Sequence, residues 1–306
     1  MDTRLASLSY SSLLTLHSCP RKYQLKRLNA TVLNEEDVSS SVTFAYGHVV
    51  GLGIQEYITH HSEDLTIWKC FLEWDCDLLQ DNPKQNKSFW TALAAVQRFI
   101  SMCSSGFLRD WELCTYEGKP ATELSFIITF PDGFTYKGFV DAVLQNTITG
   151  EVMVLECKTT SATSVNAATY KNSAQAIGYS IVLDALFPTL SSYTVKYLIH
   201  KSKACDYDAL DFDKSYLDRA LWIRTLLLDI EVIKMYEAAE IYPMRGQSCN
   251  EFYRECEYFG ICTLATDKIT EPLTDEEETE IARRNSEDFQ ITLSINDLIE
   301  AQLRKE

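Results

Sequence analysis

The sequence predicts a mixed α/β fold in which a mixed central sheet is flanked by helices. Three β-rich segments follow one another between residues 121 and 158, separated by the short, turn-like stretches "PDG" and "NTITG". A segment with helical periodicity comes next, at residues 165–187, and "SSYTVKYLIH" then alternates like a strand. A three-stranded meander, a crossover helix and one more strand combine antiparallel and parallel neighbours in one sheet.

An N-terminal helical region precedes these strands. Residues 9–28 carry apolar side chains at mostly helical spacing, interrupted at Pro20, which predicts two short helices that meet at Cys19 and Pro20. Further helices are predicted in "FAYGHVVGLGIQEYITHH", in "SFWTALAAVQRFISMCSS" and from about Lys214 to Ala239.

Composition indicates a soluble globular protein. The 306 residues are 46% apolar and 24% charged, and no run approaches the length of a membrane span. The first residues, "MDTRLASLSYSSLLTLHSCPRKY", lack the pattern of a secretory signal, so we expect a cytoplasmic location. Ten cysteines in a reducing compartment suggest thiol or metal chemistry more than disulfides.

The charge distribution weighs slightly against a nucleic-acid binder. The net charge is -16, of which residues 267–306 carry -7, so the rest of the chain is still acidic. Phosphate contacts call for Lys and Arg. Against this stands the stretch "CPRKYQLKR" at residues 19–27, which has four basic residues and no acid. A local basic track on an acidic body is therefore possible.

Three charged residues lie within the predicted strands. Asp141 sits midway along the second strand, and Glu156 and Lys158 are two residues apart on the third, so alternation directs their side chains to one face. Two such carboxylates can bind one hard cation, and an adjacent ammonium can orient a water molecule, which suits phosphodiester hydrolysis. The alternative is a buried ion pair.

Three motifs give this part of the chain a family resemblance. They are "GFVD" at Gly138–Asp141, "ECK" at Glu156–Lys158 and "QAIGY" at Gln175–Tyr179. In these motifs the chain resembles the PD-(D/E)XK nuclease superfamily, in particular the branch of RecB-type and AddB-type nuclease domains, CRISPR adaptation exonucleases and phage exonucleases. The resemblance implies a restriction-endonuclease-like core and covers about residues 9–264.

The resemblance also implies roles for the charged residues. Asp141 and Glu156 would bind Mg or Mn, the Cys157 carbonyl is a further ligand candidate, and Lys158 would assist the attacking water. DNA would be the substrate.

Other positions are less specific. Gln175 and Tyr179 would support the site or touch DNA, although Gln and Tyr at this spacing also suit a half-buried helix face. The family commonly has a metal-binding His where this chain has Gly51, and His48, three residues earlier, is a possible substitute or forms a plain hydrogen bond. Glu123 matches an acidic position one strand before Asp141.

Four cysteines form a second candidate site, for a metal ion or cluster. Cys249, Cys256 and Cys262 lie close together in sequence, and Cys19 stands near the start. Four thiolates can hold an iron–sulfur cluster or a zinc ion. The resemblance favours a four-iron four-sulfur cluster that joins Cys19 to the C-terminal segment, with zinc as the alternative.

The predicted organisation is a nuclease domain followed by an acidic tail. The domain comprises residues 1–264, with a helical part at 9–110, a catalytic core at 121–200 and the cysteine segment at 249–262, and the tail comprises 265–306. Within the tail, "TDEEETEIARRNSEDFQ" is expected to be solvated and flexible. "ITLSINDLIEAQL" is expected to form a short amphipathic segment that docks on a partner or, as we slightly prefer, on the chain itself.

Two functions follow from the sequence. The first is a metal-dependent DNA nuclease, more readily an exonuclease than an endonuclease, in recombination, repair or phage DNA processing. The second is a nuclease-derived DNA-binding or scaffold protein with little or no turnover, which only Gly51 and the acidic body support.

Overall fold

The computed structural model describes residues 2–30, 38–78, 86–190, 192–251 and 254–304. Its helices are α1 (Thr3–Ala6), α2 (Tyr10–Ser18), α3 (Pro20–Arg27), α4 (Val38–His60), α5 (Glu63–Glu73), α6 (Phe89–Ser104), α7 (Ala167–Lys171), α8 (Ala174–Gly178), α9 (Ser180–Leu186), α10 (Tyr216–Ala238), α11 (Asp275–Glu287) and α12 (Ile295–Leu303). Its strands are β1 (Ser7–Ser9), β2 (Trp111–Leu113), β3 (Thr115–Tyr116), β4 (Lys119–Pro120), β5 (Thr122–Thr129), β6 (Thr135–Asn146), β7 (Val152–Thr160), β8 (Ser192–Lys201), β9 (Asp206–Ser215), β10 (Asn250–Glu251), β11 (Arg254–Glu255) and β12 (Ile291–Ser294).

The chain divides into two compact units. Unit 1 takes residues 1–35, 125–139 and 216–306, and unit 2 takes residues 36–124 and 140–215. Strands β5 and β6 each contribute residues to both units. None of the described helices is long and apolar enough to cross a membrane.

A mixed sheet forms the centre of unit 2. Its strands lie in the order β6, β7, β8 and β9, and β2 also pairs with β6. The β7–β8 pair is parallel, whereas β6–β7 and β8–β9 are antiparallel. The predicted mixed sheet flanked by helices is therefore confirmed. Strands β5, β6 and β7 are neighbours as predicted, and β8 returns parallel to β7 after the crossover.

Helices cover both faces of this sheet. On one face, α4, α5 and α6 bury an apolar core that includes Val50, Ile54, Val96, Phe99, Ala142, Leu144, Met153 and Leu155. On the other face, the Tyr193 hydroxyl of β8 donates to the Ala176 carbonyl of α8 at 2.9 Å. The single crossover helix expected at 165–187 is three short helices, α7, α8 and α9.

Strand β9 is a difference from the prediction, which placed no strand after β8. Its sequence "DYDALDFDKS" is rich in Asp, which disfavours strands. Lysines of β8 compensate, since Lys196 Nζ lies 2.6 Å from Asp211 Oδ1 and Lys201 Nζ lies 2.6 Å from Asp208 Oδ1. These cross-strand ion pairs supply the partners that the isolated sequence does not show.

Unit 1 contains the acidic segment expected to be flexible, and the structure forms α11 there. Thr274 caps this helix by accepting from the Glu277 backbone N–H at 3.3 Å, and the Glu277 carboxylate accepts from the Thr274 N–H at 2.9 Å. Glu280 then pairs with Arg284 one turn later at 2.7 Å. Local capping and i,i+4 pairing sustain a polar helix that has no buried residue.

The apolar segment after α11 docks on the chain itself. Strand β12 pairs in parallel with β5, with Ile291 opposite Phe126, and β5 neighbours β6. Strand β1 pairs in parallel with β6. The tail is thus part of unit 1, while the proposed functional boundary after residue 264 stays a prediction.

Helix α12 is fixed to α10 by a buried polar contact. Arg219 is fully buried, and its Nε donates to Gln302 Oε1 at 3.0 Å. Gln302 Nε2 in turn donates to the Tyr216 carbonyl at 2.9 Å, and the Arg219 guanidinium lies 4.5 Å from the centre of the Tyr216 ring. A buried cation requires such acceptors, so Gln302 stabilises the docked end of the chain.

We expect Gln302→Leu to lower the free energy of unfolding by ~1–3 kcal/mol, because the Arg219 Nε loses this acceptor inside the protein. Urea denaturation measures the change. The control is Arg304→Ala at the C-cap of the same helix, whose side chain is 78% exposed and should matter by less than ~0.5 kcal/mol. Equal stability of the two variants would show that α12 does not dock through Gln302.

Candidate active site

Asp141 and Glu156 lie side by side where the pairing of β6 and β7 reaches its end. The last pair in register is Ala142 opposite Leu155, and both side chains face the core beneath α4. Because side chains alternate, Asp141 and Glu156, one residue further along each strand, face the other way. Lys158 shares their face, and Cys157 packs against the core, as the alternation predicts.

Asp141 is held by the backbone of the neighbouring strand. The Cys157 N–H donates to Asp141 Oδ2 at 2.7 Å. The Asp141 side chain keeps some exposure to solvent, yet protein atoms surround its carboxyl group. Burial, together with the negative charge of Glu156, raises the pKa of Asp141 well above its ordinary value, although the Cys157 hydrogen bond opposes this shift.

Glu156 is fully buried and has two side-chain partners. The Tyr179 hydroxyl donates to Glu156 Oε2 at 2.5 Å, and the Lys158 ammonium forms an ion pair with Glu156 Oε1. Burial lowers the pKa of Lys158, but the charge and hydrogen bond of Glu156 outweigh it and leave that pKa above its ordinary value. Lys158 therefore carries its proton at neutral pH.

The structure separates the two residues of the "QAIGY" motif. Gln175 lies in α8 and is half-buried, whereas Tyr179 occupies the junction between α8 and α9. Burial, with the charges of Glu156 and Asp141, raises the pKa of Tyr179 well above its ordinary value, so its hydroxyl remains a donor. Among the described residues, Tyr179 is thus the member of the motif that contacts a carboxylate.

Glu123 is electrostatically coupled to this site. It stands on β5, and Gln55 Nε2 of α4 donates to its Oε1 at 2.6 Å. Its negative charge adds to the upward shift of the Asp141 pKa. Glu123, which the sequence indicates only weakly as a site residue, therefore lies within electrostatic range of Asp141. The sequence does not indicate its hydrogen-bond partner, Gln55.

The helix face around Gly51 is open. Gly47, one turn before it, approaches Thr159 of β7, since a Cβ on Gly47 would lie 3.3 Å from Thr159 Oγ1. A Cβ on Gly51 would meet no atom of the described residues within 4 Å, so the position has room for a side chain. His48 faces elsewhere: its Nε2 lies 3.1 Å from Glu73 Oε1 of α5.

Two tyrosines border Lys158 and were missed in the sequence. Tyr197 is the register partner of Glu156 on β8, and its ring centre lies 4.9 Å from that of Tyr170. Tyr197 contributes to the raised pKa of Lys158, and Lys158 opposes the rise that burial causes in the pKa of Tyr170. The alternation of β8 predicts the burial of Tyr197, but the register beside Glu156 cannot be read from sequence.

The donor set of this site suits a hard divalent cation. Two carboxylates meet one ammonium, so one negative charge remains unbalanced when both acids are ionised. Oxygen ligands of this kind bind Mg or Mn. Across the described ranges, no three His, Cys, Asp or Glu side chains are grouped to hold a metal ion, so Asp141 and Glu156 stand as a pair of candidate ligands.

The four cysteines of the proposed cluster lie in unit 1, where contacts next to them join their segments. Ser18 and Ser248 are hydrogen-bonded through their hydroxyls at 2.9 Å, which brings the residues after them, Cys19 and Cys249, into one neighbourhood. The Cys256 N–H also donates to the Cys249 carbonyl at 2.9 Å.

Arg21 links the third segment. Its Nε donates to the Cys262 carbonyl at 2.9 Å, and burial lowers the Arg21 pKa while Cys262 and Cys19 oppose that shift. Residues next to the four cysteines are thus in contact. Among the described residues, however, no three potential metal ligands are grouped together, so the metal cluster stays a prediction.

Comparisons with known proteins identify the superfamily of the chain. The sequence profile of the PD-(D/E)XK nuclease superfamily matches residues 7–263, so the chain belongs to that superfamily. Curated proteins gave no match.

Two solved structures are similar. One is a "Putative exonuclease" from Eubacterium rectale, with 10% identity and a TM-score of 0.48 over 79% of this chain and 85% of that chain. The other is SSO0001, with 15% identity and a TM-score of 0.31 over 74% of this chain and 76% of that chain.

The raised pKa of Asp141 predicts a pH-dependent effect of Asp141→Asn. An acid whose pKa is higher in the folded protein binds more protons there, so stability falls as pH rises from the ordinary value of 3.8 through the folded value. Asn keeps an oxygen for the Cys157 N–H and carries no charge. Without metal, the variant should therefore melt above the wild type at mildly alkaline pH, and this advantage should vanish in acid.

Thermal unfolding at several pH values, with EDTA and then with Mn²⁺, tests this. A gain of ~1 kcal/mol corresponds to ~2–4 °C. Mn²⁺ should stabilise the wild type and leave the variant unchanged. A variant that is less stable than the wild type at every pH would contradict the assigned repulsion between Asp141 and Glu156.

Proposed function

We propose that this protein is a Mg- or Mn-dependent deoxyribonuclease. The observation that carries the proposal is the adjacency of Asp141 and Glu156 at the end of the β6–β7 pairing, with Lys158 ion-paired to Glu156 on the same face. Membership of a nuclease superfamily supports the reaction class.

Asp141 and Glu156 would hold the divalent ion, and the Cys157 carbonyl is a further candidate ligand beside them. Such an ion lowers the pKa of a bound water and neutralises charge on the scissile phosphate. Tyr179 fixes the Glu156 carboxylate by its hydrogen bond, which leaves that carboxylate little freedom to rotate away. To hold the ion, Asp141 would have to give up the proton that burial favours.

Lys158 acts as a donor in this scheme. Because its pKa is raised, it is an ammonium at neutral pH and cannot serve as a general base. Its remaining N–H groups can orient the attacking water and stabilise negative charge on the phosphate. With 36% of its side chain exposed, Lys158 can reach a bound substrate.

A more specific proposal is that the protein is an exonuclease in recombination, repair or phage DNA processing. It rests on the resemblance of the three motifs to the RecB-type, CRISPR adaptation and phage exonucleases. Cys19, Cys249, Cys256 and Cys262 are proposed to hold a four-iron four-sulfur cluster, or zinc, that ties the N-terminal helices to the cysteine segment. The short-range contacts of Ser18 and Arg21 support the proximity this requires.

Three substitutions separate the roles at the carboxylate site. Asp141→Asn and Glu156→Gln each remove a negative ligand, so Mn²⁺ binding and DNA cleavage should fall together. Lys158→Ala removes no ligand, so metal should still bind while the cleavage rate drops by at least ~10²-fold. Calorimetric Mn²⁺ titration and cleavage of end-labelled DNA measure the two properties.

The matched control is Lys203→Ala, which removes a lysine from an exposed turn and should cleave like the wild type. Open and closed DNA substrates compared side by side distinguish exonuclease from endonuclease action. A wild-type protein that binds DNA and cleaves neither substrate would instead support the nuclease-derived scaffold, in which Lys158 only neutralises Glu156. Wild-type cleavage by Lys158→Ala would rule out the role given to this lysine.

Metal content tests the cysteine proposal independently. Protein purified without oxygen should be brown and contain iron, and Cys256→Ser should bleach it and reduce solubility, because the cysteine segment would lose its link to Cys19. Cys205→Ser, at an exposed turn, is the control and should keep the colour. Colourless protein with stoichiometric zinc would exclude the iron assignment.

A further inference from the structure

A concave basic surface lies in unit 1, whereas the candidate carboxylates belong to unit 2. Lys26 and Arg27, at the end of α3, border two neighbouring cavities of about 520 Å³ and about 90 Å³. Arg4 lines the larger one as well. These residues include two of the four basic side chains of the "CPRKYQLKR" stretch, which the carboxylate site does not use.

The positive charge on this surface is only partly balanced. Arg4 is paired with Asp2 at 2.7 Å, but Lys26 is exposed and has no carboxylate partner among the described residues. Arg27 donates through its Nε to the Arg4 carbonyl at 2.8 Å. Burial lowers the pKa of Arg27, Tyr23 and Asp2 oppose this shift, and the nearby charge of Arg4 adds to it.

A further positive side chain, Lys137 of β6, lies near Arg27. Burial lowers the pKa of Lys137, and the charge of Arg27 lowers it further, while Asp288 opposes this shift. Lys137 has a neutral partner, since its ammonium donates to Asn285 Oδ1. A group of positive side chains that raise one another's potential is a site at which an anion is favoured.

The smaller cavity adds hydroxyl donors to these cations. It is lined by Ser9, Ser11 and Ser12 as well as Lys26 and Arg27. Ser9 Oγ and Ser11 Oγ lie 3.1 Å apart, so one hydroxyl donates to the other and the second proton remains for an outside acceptor. Cations with a hydroxyl donor beside them match the oxygens of a phosphate group.

An acidic helix forms the opposite wall of the larger cavity. Glu276, Glu277 and Glu280 of α11 line it. Glu280 is neutralised within its own helix by Arg283 and Arg284, at 2.8 and 2.7 Å. Across the described residues, no ion pair joins these acids to Lys26 or Arg27. The charges of Glu277 and Arg4 attract each other across the cavity, and Arg284 lines the acidic wall as well.

We propose that the surface around Lys26 and Arg27 binds backbone phosphates of DNA, and that the acidic face of α11 weakens this binding by repelling the same phosphates. The inference deepens the proposed nuclease function by giving the substrate a second contact, but binding here does not require the carboxylates. Such a basic surface would let a chain with a net charge of -16 bind a polyanion locally.

Binding of fluorescently labelled DNA, measured by anisotropy in EDTA over a salt series, tests the basic wall. Lys26→Ala should weaken binding and reduce the slope of log K against log salt by ~0.9, the value for one lost phosphate contact. Lys268→Ala removes an exposed lysine elsewhere in unit 1 and should leave the slope unchanged. Melting curves confirm that each variant is folded.

The acidic wall has a matched pair on a single helix. Glu276→Gln and Glu278→Gln change the net charge equally, but only Glu276 lines the cavity. Glu276→Gln should tighten DNA binding clearly more than Glu278→Gln does. Equal effects of the two variants would show that α11 acts only through overall charge and would overturn its assigned role.

Competition identifies the ligand. Unlabelled DNA should displace the probe at phosphate concentrations at which inorganic phosphate does not, and equal displacement by inorganic phosphate would make this a small-anion site and overturn the DNA assignment. Absence of DNA binding by the wild type, or unchanged binding by Lys26→Ala, would also overturn it. DNA cleavage in Mn²⁺ is measured separately. If the protein cleaves DNA and Lys26→Ala has no effect on binding, the nuclease proposal holds and the DNA-binding surface is wrong. If binding depends on Lys26 but no cleavage occurs, the DNA-binding surface holds and the nuclease proposal is wrong.

Discussion

Repulsion between two neighbouring carboxylates is the constraint around which the candidate site is built. Asp141 and Glu156 stand beside each other in a place that water reaches poorly, so the charge of Glu156 makes ionisation of Asp141 harder. The surroundings supply one neutral donor to each acid and a single cation to Glu156. The fold thus holds the two acids in place without balancing their charge, which is the condition under which a divalent cation binds strongly.

The placement of these charges could be predicted from sequence because it depends on a single local rule. Strand alternation puts Glu156 and Lys158 on one face and Cys157 on the other, and a short hairpin brings Asp141 next to them. The structure shows this arrangement. The catalytic roles are a different matter, since they depend on an ion and a substrate and remain proposals.

Features that depend on distant partners could not be predicted. Two lysines of β8 form ion pairs with two aspartates of β9. The sequence of β9 alone does not indicate these partners. The position of Tyr197 beside Glu156 depends on the register of a parallel pair separated by a crossover. By contrast, α11 could have been predicted, because Thr274 and Glu277 form a capping box in the sequence itself.

The pairing of β12 with β5 has a consequence for biosynthesis. More than half of the chain's length lies between Phe126 and its partner Ile291, so a ribosome exposes the edge of β5 long before the covering strand emerges. Unit 2 draws on residues 36–124 and 140–215 and is complete in the nascent chain earlier. Unit 1 must therefore form last, and during that interval its uncovered apolar edge is the part of the molecule most exposed to aggregation and to chaperones.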